Sequence, residues 1–557
     1  MDIRKIEHIL LVSFCTLIVL PLLYIYRFID NNTFTSWQWV FSQTGILQVF
    51  FFLIPALLCA YVISRIQFSG RPACVFLFLL SFASVIPLWQ QPESIIDASR
   101  YFVQAKSLQI HGARYFLDQW GSSIHAWTDM PLVPFLYGLI FAWLGEARLF
   151  IQLFNTTLFA LTTVLTFLIG QKLWDEETGL HAGLLLLGIP YLLTQVPLML
   201  VDVPTMFFLT LSIYAFLQAL EKGGLPWTAF ASLALCMAVF SKYSTWLMLS
   251  VIPIISVIAG TKDLKKAFGR TCSVLLITGL LAGAVIFVRY DFFMDQIMIL
   301  RTYQWSGLSR WQEGFLSTFL FQTHPFVTIL AICGIYRAVR KKDLRFLIAA
   351  WFVVLVLILQ IKRIRYIIPL FPLFALMAAY GLQLIRDKGV KQYISLCIVA
   401  SSLVLTFGAY MPYLNTAGMA NLQHAGQYLN TMDCGPVEVY ALPQESSSGS
   451  TFAVIPILDY YTDAKLVSPQ EWPGHLQDSE SQKSSLRFTW ETRKPDLYEP
   501  GLAEKGCAVV IISSGALGPA AGSFIGRDLD SLKVMKEFGL ISAVFKYQTV
   551  VTILRQE

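Results

Sequence analysis

Runs of about 20 apolar residues recur along this chain from Leu10 to Tyr410. A helix needs about 20 residues to cross roughly 30 Å of hydrocarbon, so the runs predict a polytopic bundle of transmembrane helices. Only 14% of the 557 residues are charged, against about 25% in an ordinary soluble domain. The stretch from Asn421 to Glu557 differs, because its strand-like segments predict a small soluble α/β domain.

Short basic loops between the apolar runs predict the orientation of the chain. Arg65 and Arg71 flank one loop and residues 386–391 form another, and the positive-inside bias places both in the cytoplasm. Counts of crossings from the two ends differ by one, so we expect one short apolar run within residues 131–198 to dip or lie flat. About 13 crossings then remain. The N-terminus is predicted inside and the chain after Pro412 outside.

The expected fold class is therefore mostly α, a transmembrane bundle of about 13 spans with a small C-terminal α/β domain. Residues 1–90 form N-terminal transmembrane helices, residues 91–420 a transmembrane core with a long outer loop at 91–130, and residues 421–557 a soluble non-cytoplasmic domain. The net charge of +6 lies mostly in orienting loops, which argues against a nucleic-acid partner and leaves the lipid bilayer as the expected surroundings.

Several elements of the C-terminal domain are predicted individually. Strands are expected at Val437–Ala441, Ala508–Ser513 and Ala543–Leu554, and an amphipathic helix at Asp528–Phe538. Cys434 and Cys507 each precede a predicted strand in a domain that should occupy an oxidising compartment, so we expect them to form a disulfide.

The long outer loop opens with Asp97, Arg100 and Tyr101 directly after an apolar run. An ionisable side chain within hydrocarbon costs about 2.5 to 3.5 kcal/mol on insertion scales, so such groups at a membrane boundary are usually retained for function. A carboxylate and a guanidinium one helical turn apart fit a base and a phosphate-binding partner. The alternative is a surface ion pair between positions i and i+3.

A second carboxylate, Asp202, stands alone between two apolar runs, two residues before Pro204. Proline suits the first turn of a helix, so Asp202 fits the cap of the next span. Capping and catalysis are compatible, and Asp202 stays a candidate second acid or metal ligand.

Basic residues also occur where the positive-inside bias disfavours them. Lys242 and the run of residues 362–366, with Arg363, Arg365 and Tyr366, fall on the predicted outer face. Guanidinium groups make bidentate contacts with phosphate, so this pattern indicates a site for an anionic lipid phosphate. Contact with outer-leaflet head groups is the alternative.

Metal-binding signals are weak. His111, His125 and Asp129 share the outer loop, but their spacing matches no metal template. No cofactor is predicted with certainty, and a divalent cation is left open.

Taken in order, these motifs resemble the C-superfold of integral-membrane glycosyltransferases, in particular the branch of aminoarabinose transferases and protein O-mannosyltransferases. The resemblance covers roughly residues 92–384. It consists of an acidic residue followed by Arg and Tyr, a Pro-Leu helix start, an acidic residue close to Pro, a Ser-Lys turn, and an Arg-Tyr pair before a Pro-rich helix. These fall on Asp97, Arg100 and Tyr101; Pro131 and Leu132; Asp202 and Pro204; Ser241 and Lys242; and Arg365 and Tyr366 with Pro369 and Pro372.

The resemblance implies transfer of a sugar from a polyprenyl-phosphate carrier to a lipid, glycan or protein acceptor on the non-cytoplasmic face. It implies Asp97 as catalytic acid or base, with Asp202 as a second candidate. The substrate-binding candidates are Arg100, Tyr101, Asp129, Lys242, Arg363, Arg365 and Tyr366. The chain departs from the aminoarabinose branch at residues 128–130, where Asp129 replaces a Glu-Lys pair, so the acceptor class does not carry over.

A transporter or flippase of a lipid-linked saccharide is the competing hypothesis. A transporter is expected to place charges along its spans, whereas most span interiors here are uncharged and the unusual charges gather on one face. The pattern therefore favours an enzyme of a bacterial inner membrane, with its catalytic face and C-terminal domain periplasmic.

Overall fold

The computed structural model describes most of the chain. The described residues are 3–66, 68–261, 263–301, 313–416, 419–432, 435–442, 451–470, 494–500, 506–513, 529–539 and 550–556, with the single residues 515, 517, 522 and 525.

Long apolar helices form the membrane part. Eight of the described helices are long and apolar enough to cross a bilayer, and four shorter apolar helices accompany them. A mostly helical membrane fold is thus confirmed, while the count of about 13 crossings stays a prediction.

Fifteen α-helices, labelled in chain order, lie among the described residues up to 301. They are α1 (Ile3–Ile25), α2 (Trp37–Val40), α3 (Ile46–Ile63), α4 (Gly70–Val85), α5 (Asp97–Gln119), α6 (Leu132–Leu144), α7 (Arg148–Leu173), α8 (Glu176–Leu187), α9 (Pro190–Gln195), α10 (Asp202–Lys222), α11 (Leu225–Ser241), α12 (Ser244–Met248), α13 (Val251–Gly260), α14 (Leu264–Val288) and α15 (Tyr290–Ile299).

Further α-helices follow Pro325 and reach into the C-terminal domain. They are α16 (Pro325–Lys341), α17 (Phe346–Ile358), α18 (Ile364–Ile367), α19 (Phe371–Leu382), α20 (Lys388–Leu405), α21 (Met411–Thr416), α22 (Ala420–Leu429) and α23 (Val454–Asp459).

The helix ends separate into two faces. At one face Lys391 pairs with Glu177, and the Trp174 indole donates to Asp343 at 3.1 Å. The opposite face carries Asp97 and Asp202, and we call it the outer face, since the basic-loop pattern predicts it to be non-cytoplasmic.

Helix α6 has both of its ends at the outer face. It begins close to Asp129, and Glu146 beyond its last residue accepts from Lys106 of α5 at 3.0 Å. Arg148, which opens α7, then donates to Glu93 at 3.0 Å. We expect both ends of an apolar run to lie at the same face when the run does not cross the membrane. Helix α6 is therefore our candidate for the non-crossing run predicted within residues 131–198.

The outer segment 91–130 is more ordered than the predicted loop. It contains the 23-residue helix α5, which bends where Gly112 adopts a φ of +84°. Residues at i, i+3 and i+4 of a helix share a face, so α5 presents Asp97, Arg100 and Tyr101 together.

The C-terminal domain contains a five-stranded sheet of order β2-β1-β3-β5-β4. The strands are β1 (Val437–Ala441), β2 (Leu466–Val467), β3 (Ala508–Ser513), β4 (Leu532–Gly539) and β5 (Val550–Gln556). Strands β1 and β3 run parallel, and β5 pairs antiparallel with both β3 and β4. The predicted strands at Val437–Ala441 and Ala508–Ser513 are confirmed.

The amphipathic helix predicted at Asp528–Phe538 is wrong over its described part. A 3-10 turn at Leu529–Ser531 leads into strand β4. The register of β4 against β5 shifts between Val534 and Lys536, which marks an irregularity such as a β-bulge. This extra residue disturbs the two-residue alternation and gives the apolar positions a spacing that resembles a helix.

The C-terminal domain packs directly on α5. One hydrophobic cluster joins Ala98 and Phe102 of α5 to Leu458 and Val510 of the domain. Lys106 of α5 also donates to Asp459 of the domain at 2.7 Å. Cys507 is disulfide-bonded, and its predicted partner Cys434 lies outside the described residues.

Candidate functional site

Asp202 is fully buried at the first turn of α10. Its side chain caps no backbone amide; it accepts from Lys242 at 2.5 Å and from Arg365 at 2.9 Å. The capping alternative is therefore not what the structure shows. Lys242 reaches Asp202 because it directly follows α11, whose last residue lies at the outer face beside the start of α10.

Arg365 joins the two catalytic candidates. Its Nε donates to Asp202 and its Nη1 donates to Asp97 at 2.5 Å, and the residue is only 5% exposed. The short helix α18 and the proline-containing turn behind it place this guanidinium between the two carboxylates.

Asp97 is not simply paired with Arg100 on the surface. Those two side chains are 4.0 Å apart, whereas Arg100 Nε lies 2.5 Å from Asp129. Burial alone opposes ionisation of Asp97, but the charges of Arg365 and Arg100 outweigh it and hold the pKa of this carboxyl well below its usual range. Asp97 is thus a carboxylate at neutral pH.

Asp129, which follows α5 in the chain, contacts a second group of side chains on that helix. The Tyr101 hydroxyl donates to it at 3.3 Å, and the Gln104 amide donates to it at 3.5 Å. Burial raises the pKa of Asp129 above its usual range despite the opposing charge of Arg100. Burial also opposes the charge on Arg100, yet the Asp129 carboxylate raises the pKa of Arg100 above its usual range.

Arg363 and Tyr366 form the remaining wall. The Arg363 guanidinium lies 5.3 Å from the Tyr366 ring centroid and 3.7 Å from Glu313, measured at Nε. Arg363 is 6% exposed, so neither it nor Arg365 is placed like a side chain that contacts lipid head groups. Lys242 also lies 5.8 Å from the Tyr366 ring centroid.

The described structure therefore brings every predicted site residue into one connected cluster, and their roles stay predictions. Sequence reasoning missed Glu313 and Gln104, which contact Arg363 and Asp129. Glu313 is a buried acidic residue in the structure, but it lies in a polar stretch of sequence, so the argument that selected the lone carboxylate Asp202 does not select it.

A divalent cation fits this cluster poorly. Among the described residues, no three His, Cys, Asp or Glu side chains stand close enough to hold a metal ion. Asp97, Asp129 and Asp202 are each matched by a guanidinium or an ammonium group. This pairing leaves them no excess negative charge to attract a cation.

Exposure divides the cluster. The side chains of Asp97 and Lys242 are 24% and 22% exposed, whereas the Asp202 side chain is fully buried. Of the charged groups for which these exposures are compared, the Asp97 carboxylate and the Lys242 ammonium are therefore the most accessible to a ligand, and both lie beside the buried Arg365 guanidinium.

Comparisons with known proteins agree with this architecture. Residues 126–294 match the family described as dolichyl-phosphate-mannose-protein mannosyltransferase. ArnT from Cupriavidus metallidurans bound to undecaprenyl phosphate superposes with a TM-score of 0.54 at 13% identity, over 87% of this chain and 98% of that chain. The chain has an ArnT-like fold. The apo state of the same ArnT superposes with a TM-score of 0.51 at 13% identity, over 85% of this chain and 97% of that chain.

The ArnT-like fold and the partial sequence match confirm the predicted resemblance to C-superfold membrane glycosyltransferases. No curated protein matches the sequence. The matched range includes Asp129, Asp202 and Lys242, but it excludes Asp97 and Arg365. Only the structure therefore connects all of these residues.

Proposed function

We propose that this chain is a membrane glycosyltransferase that moves a sugar from a polyprenyl-phosphate donor to a lipid, glycan or protein acceptor of the cell envelope. The observation that carries the proposal is the Arg365 bridge between Asp97 and Asp202, with the part-exposed ammonium of Lys242 beside it. We assign the reaction to the periplasmic face of a bacterial inner membrane.

The reaction needs one base and one anion site. The acceptor hydroxyl oxygen attacks the anomeric carbon of the donor sugar, and the bond from that carbon to the phosphate oxygen breaks. The hydroxyl proton passes to Asp97, and the departing polyprenyl phosphate keeps the electron pair of the broken bond. Its charge grows by one unit as it leaves, and Lys242 and Arg365 stabilise that charge.

Arg365 connects donor binding to the basicity of Asp97. Its guanidinium donates to Asp97 and holds it as a weakly basic carboxylate. A donor phosphate that accepts hydrogen bonds from Arg365 weakens this contact and so raises the pKa of Asp97. The base then becomes more effective once the donor is bound.

The other members of the cluster take supporting roles. Asp202 is fully buried between Lys242 and Arg365, which favours positioning of these two cations over contact with the acceptor. Arg363 and Tyr366 form the wall on the donor side. We assign Arg100 and Tyr101 of α5, together with Asp129 from the segment between α5 and α6, to the acceptor side.

The proposal is tested by comparing cells with and without the protein. Mass spectrometry of envelope glycans and polyprenyl phosphates should show loss of one glycan and accumulation of one lipid-linked sugar, which identifies acceptor and donor together. Purified protein in liposomes should then transfer that sugar without moving the lipid across the bilayer. Movement of the lipid-linked saccharide without transfer would contradict the proposal and support the flippase alternative.

A further inference from the structure

A polar cleft lies between the outer face and the C-terminal domain. Its volume is about 630 Å³, within the usual range of about 300 to 1,000 Å³ for small-molecule sites. The membrane part contributes Trp89 and Arg148, the junction contributes Asn415, and the C-terminal domain contributes Gln427 and Tyr460.

Arg148 and Glu146 are paired within the protein, whereas the Asp463 carboxylate at the rim of the cleft is exposed. Arg148 donates to Glu93 at 3.0 Å and to the carbonyl oxygen of Trp89 at 3.0 Å. Glu146 accepts from Lys106. The Arg148 guanidinium is thus occupied and is not placed to recruit an anion such as the donor phosphate.

Hydrogen-bonding groups that carry no charge remain. The Tyr460 hydroxyl and the Asn415 carbonyl oxygen are buried and have no hydrogen-bond partner among the described residues. Tyr460 as a whole is only 6% exposed, so its unpartnered hydroxyl carries a desolvation cost that a ligand would relieve. Gln427 is exposed on the helix that borders the cleft.

This set of groups matches the chemistry of a neutral sugar. Sugar hydroxyls both donate and accept, as amide side chains and a tyrosine hydroxyl also do. Trp89 is part-exposed and adds apolar ring surface, and aromatic residues commonly combine a polar edge with an apolar face in this way.

We propose that this cleft binds a neutral saccharide, namely the sugar portion of the acceptor. The acceptor assignment rests on the proposed transferase function, whereas saccharide binding itself does not. The cleft is also connected to the candidate site. Arg148 holds Glu93, Glu93 accepts from the backbone amide of Met199 at 3.1 Å, and Asp97 and Asp202 lie a few residues beyond these two positions.

Saturation-transfer NMR on the full chain in lipid nanodiscs tests the proposal. The probes are the methyl glycosides of glucose, galactose, mannose and N-acetylglucosamine. We expect saturation of at least one glycoside, weakened about 3- to 10-fold by Gln427→Ala and by Tyr460→Phe. Tyr460→Phe retains the aromatic ring, whose centroid lies 5.1 Å from that of the Phe102 ring. The effect of this substitution on binding therefore reports on the hydroxyl group.

Two controls make the outcome decisive. Gln43→Ala changes an exposed glutamine that does not line the cleft, and it should leave binding unchanged. Asp97→Asn should also retain binding even if it abolishes transfer, so a failed transferase assignment remains distinguishable from a failed cleft assignment. The proposal is overturned if no glycoside is saturated, if both cleft variants bind normally, or if only a neutral hexapeptide competes for the cleft.

Discussion

Arg365 contacts two carboxylates that lie 268 and 163 residues away in sequence. A buried guanidinium beside the buried carboxylate of Asp202 and the part-exposed carboxylate of Asp97 is costly unless its charge is paired, because desolvation removes hydration from the buried groups. Lys242 completes the pairing at Asp202. The arrangement is therefore most sensitive to the loss of Arg365, which pairs with both carboxylates.

Asp97→Asn is expected to lower transfer about 100- to 10,000-fold, because asparagine retains the size of the side chain but cannot accept the acceptor proton. Expression and donor binding should remain largely intact, since Arg365 still has Asp202 as a partner. Turnover from a purified polyprenyl-phosphate sugar measures the effect. Near-normal turnover would remove Asp97 from the catalytic role.

Arg365→Ala should damage both donor binding and stability. It leaves Asp97 without its closest cation and Asp202 with Lys242 as its one remaining cationic partner among the described residues, and breaking a buried pair typically costs about 3 to 5 kcal/mol. Arg365→Lys is the matched control, because it retains the charge but not the fork that reaches both carboxylates. Thermal unfolding and donor affinity should place the lysine variant between the wild type and Arg365→Ala.

Glu146 should make stability fall as pH rises. Burial raises its pKa to about 7 despite the opposing charge of Lys106, so the folded state retains a proton that the unfolded chain releases near pH 4.5. The protonated Glu146 side chain contributes to the free energy of unfolding fully below about pH 4.5, and this contribution is lost as pH rises through about 7. It amounts to at most about 3 kcal/mol.

Glu146→Gln cannot ionise, so the decline of its unfolding midpoint between pH 5 and 8 should be smaller than in the wild type. Asp118→Asn is the control, because Asp118 is an exposed carboxyl on the same outer helix as Lys106. Equal pH profiles for Glu146→Gln and the wild type would contradict the assignment.

At the scale of elements, α16 and α19 cross closely through glycines. A Cβ at Gly381 would overlap the carbonyl oxygen of Leu330 and the backbone nitrogen of Gly334. Small residues permit such close approach between membrane helices.

Gly381→Val should sharply reduce the amount of folded protein, since the backbone of α16 has no room for the new side chain. Gly279→Ala in α14 is the matched control, because a Cβ there meets nothing within 4 Å. Size-exclusion profiles and unfolding midpoints in detergent measure both variants. Equal yields of the two variants would show that the crossing tolerates a larger residue.

Periodicity and apolar length predicted elements well but could not predict long-range partners. The i, i+3 spacing of Asp97 and Arg100 correctly put them on one helix face, yet each makes its closest ion pair with another residue. Helical spacing says nothing about the chain segments that pack across that face. For the same reason, the sequence could not predict that Arg365 contacts both Asp97 and Asp202. It could predict that Arg365 belongs to a basic run on the outer face.

The whole molecule has a membrane part and a C-terminal domain that meet through α5. Lys106 contacts both Glu146 of the membrane part and Asp459 of the domain. Since the domain packs on the face that carries Asp97, both must lie on the same side of the membrane.

A reporter fused after Glu557 should therefore behave as non-cytoplasmic, because one span separates it from the basic residues Arg386, Lys388 and Lys391. A second reporter placed in the predicted cytoplasmic loop of residues 386–391 is the internal control and should give the opposite signal. Cytoplasmic behaviour of the Glu557 fusion would invert the assigned orientation of the whole bundle.

The contact between α5 and the C-terminal domain also bears on biosynthesis. Ribosomes make α5 early, but the residues that bury its Phe102 side, among them Tyr460 and Leu458, are made much later. During most of translation the helix that carries Asp97 consequently lacks one wall of its surroundings. The helix that carries Asp97 is thus inserted beside the membrane before its packing is complete, and this packing is completed only after residues 451–513 have been synthesised.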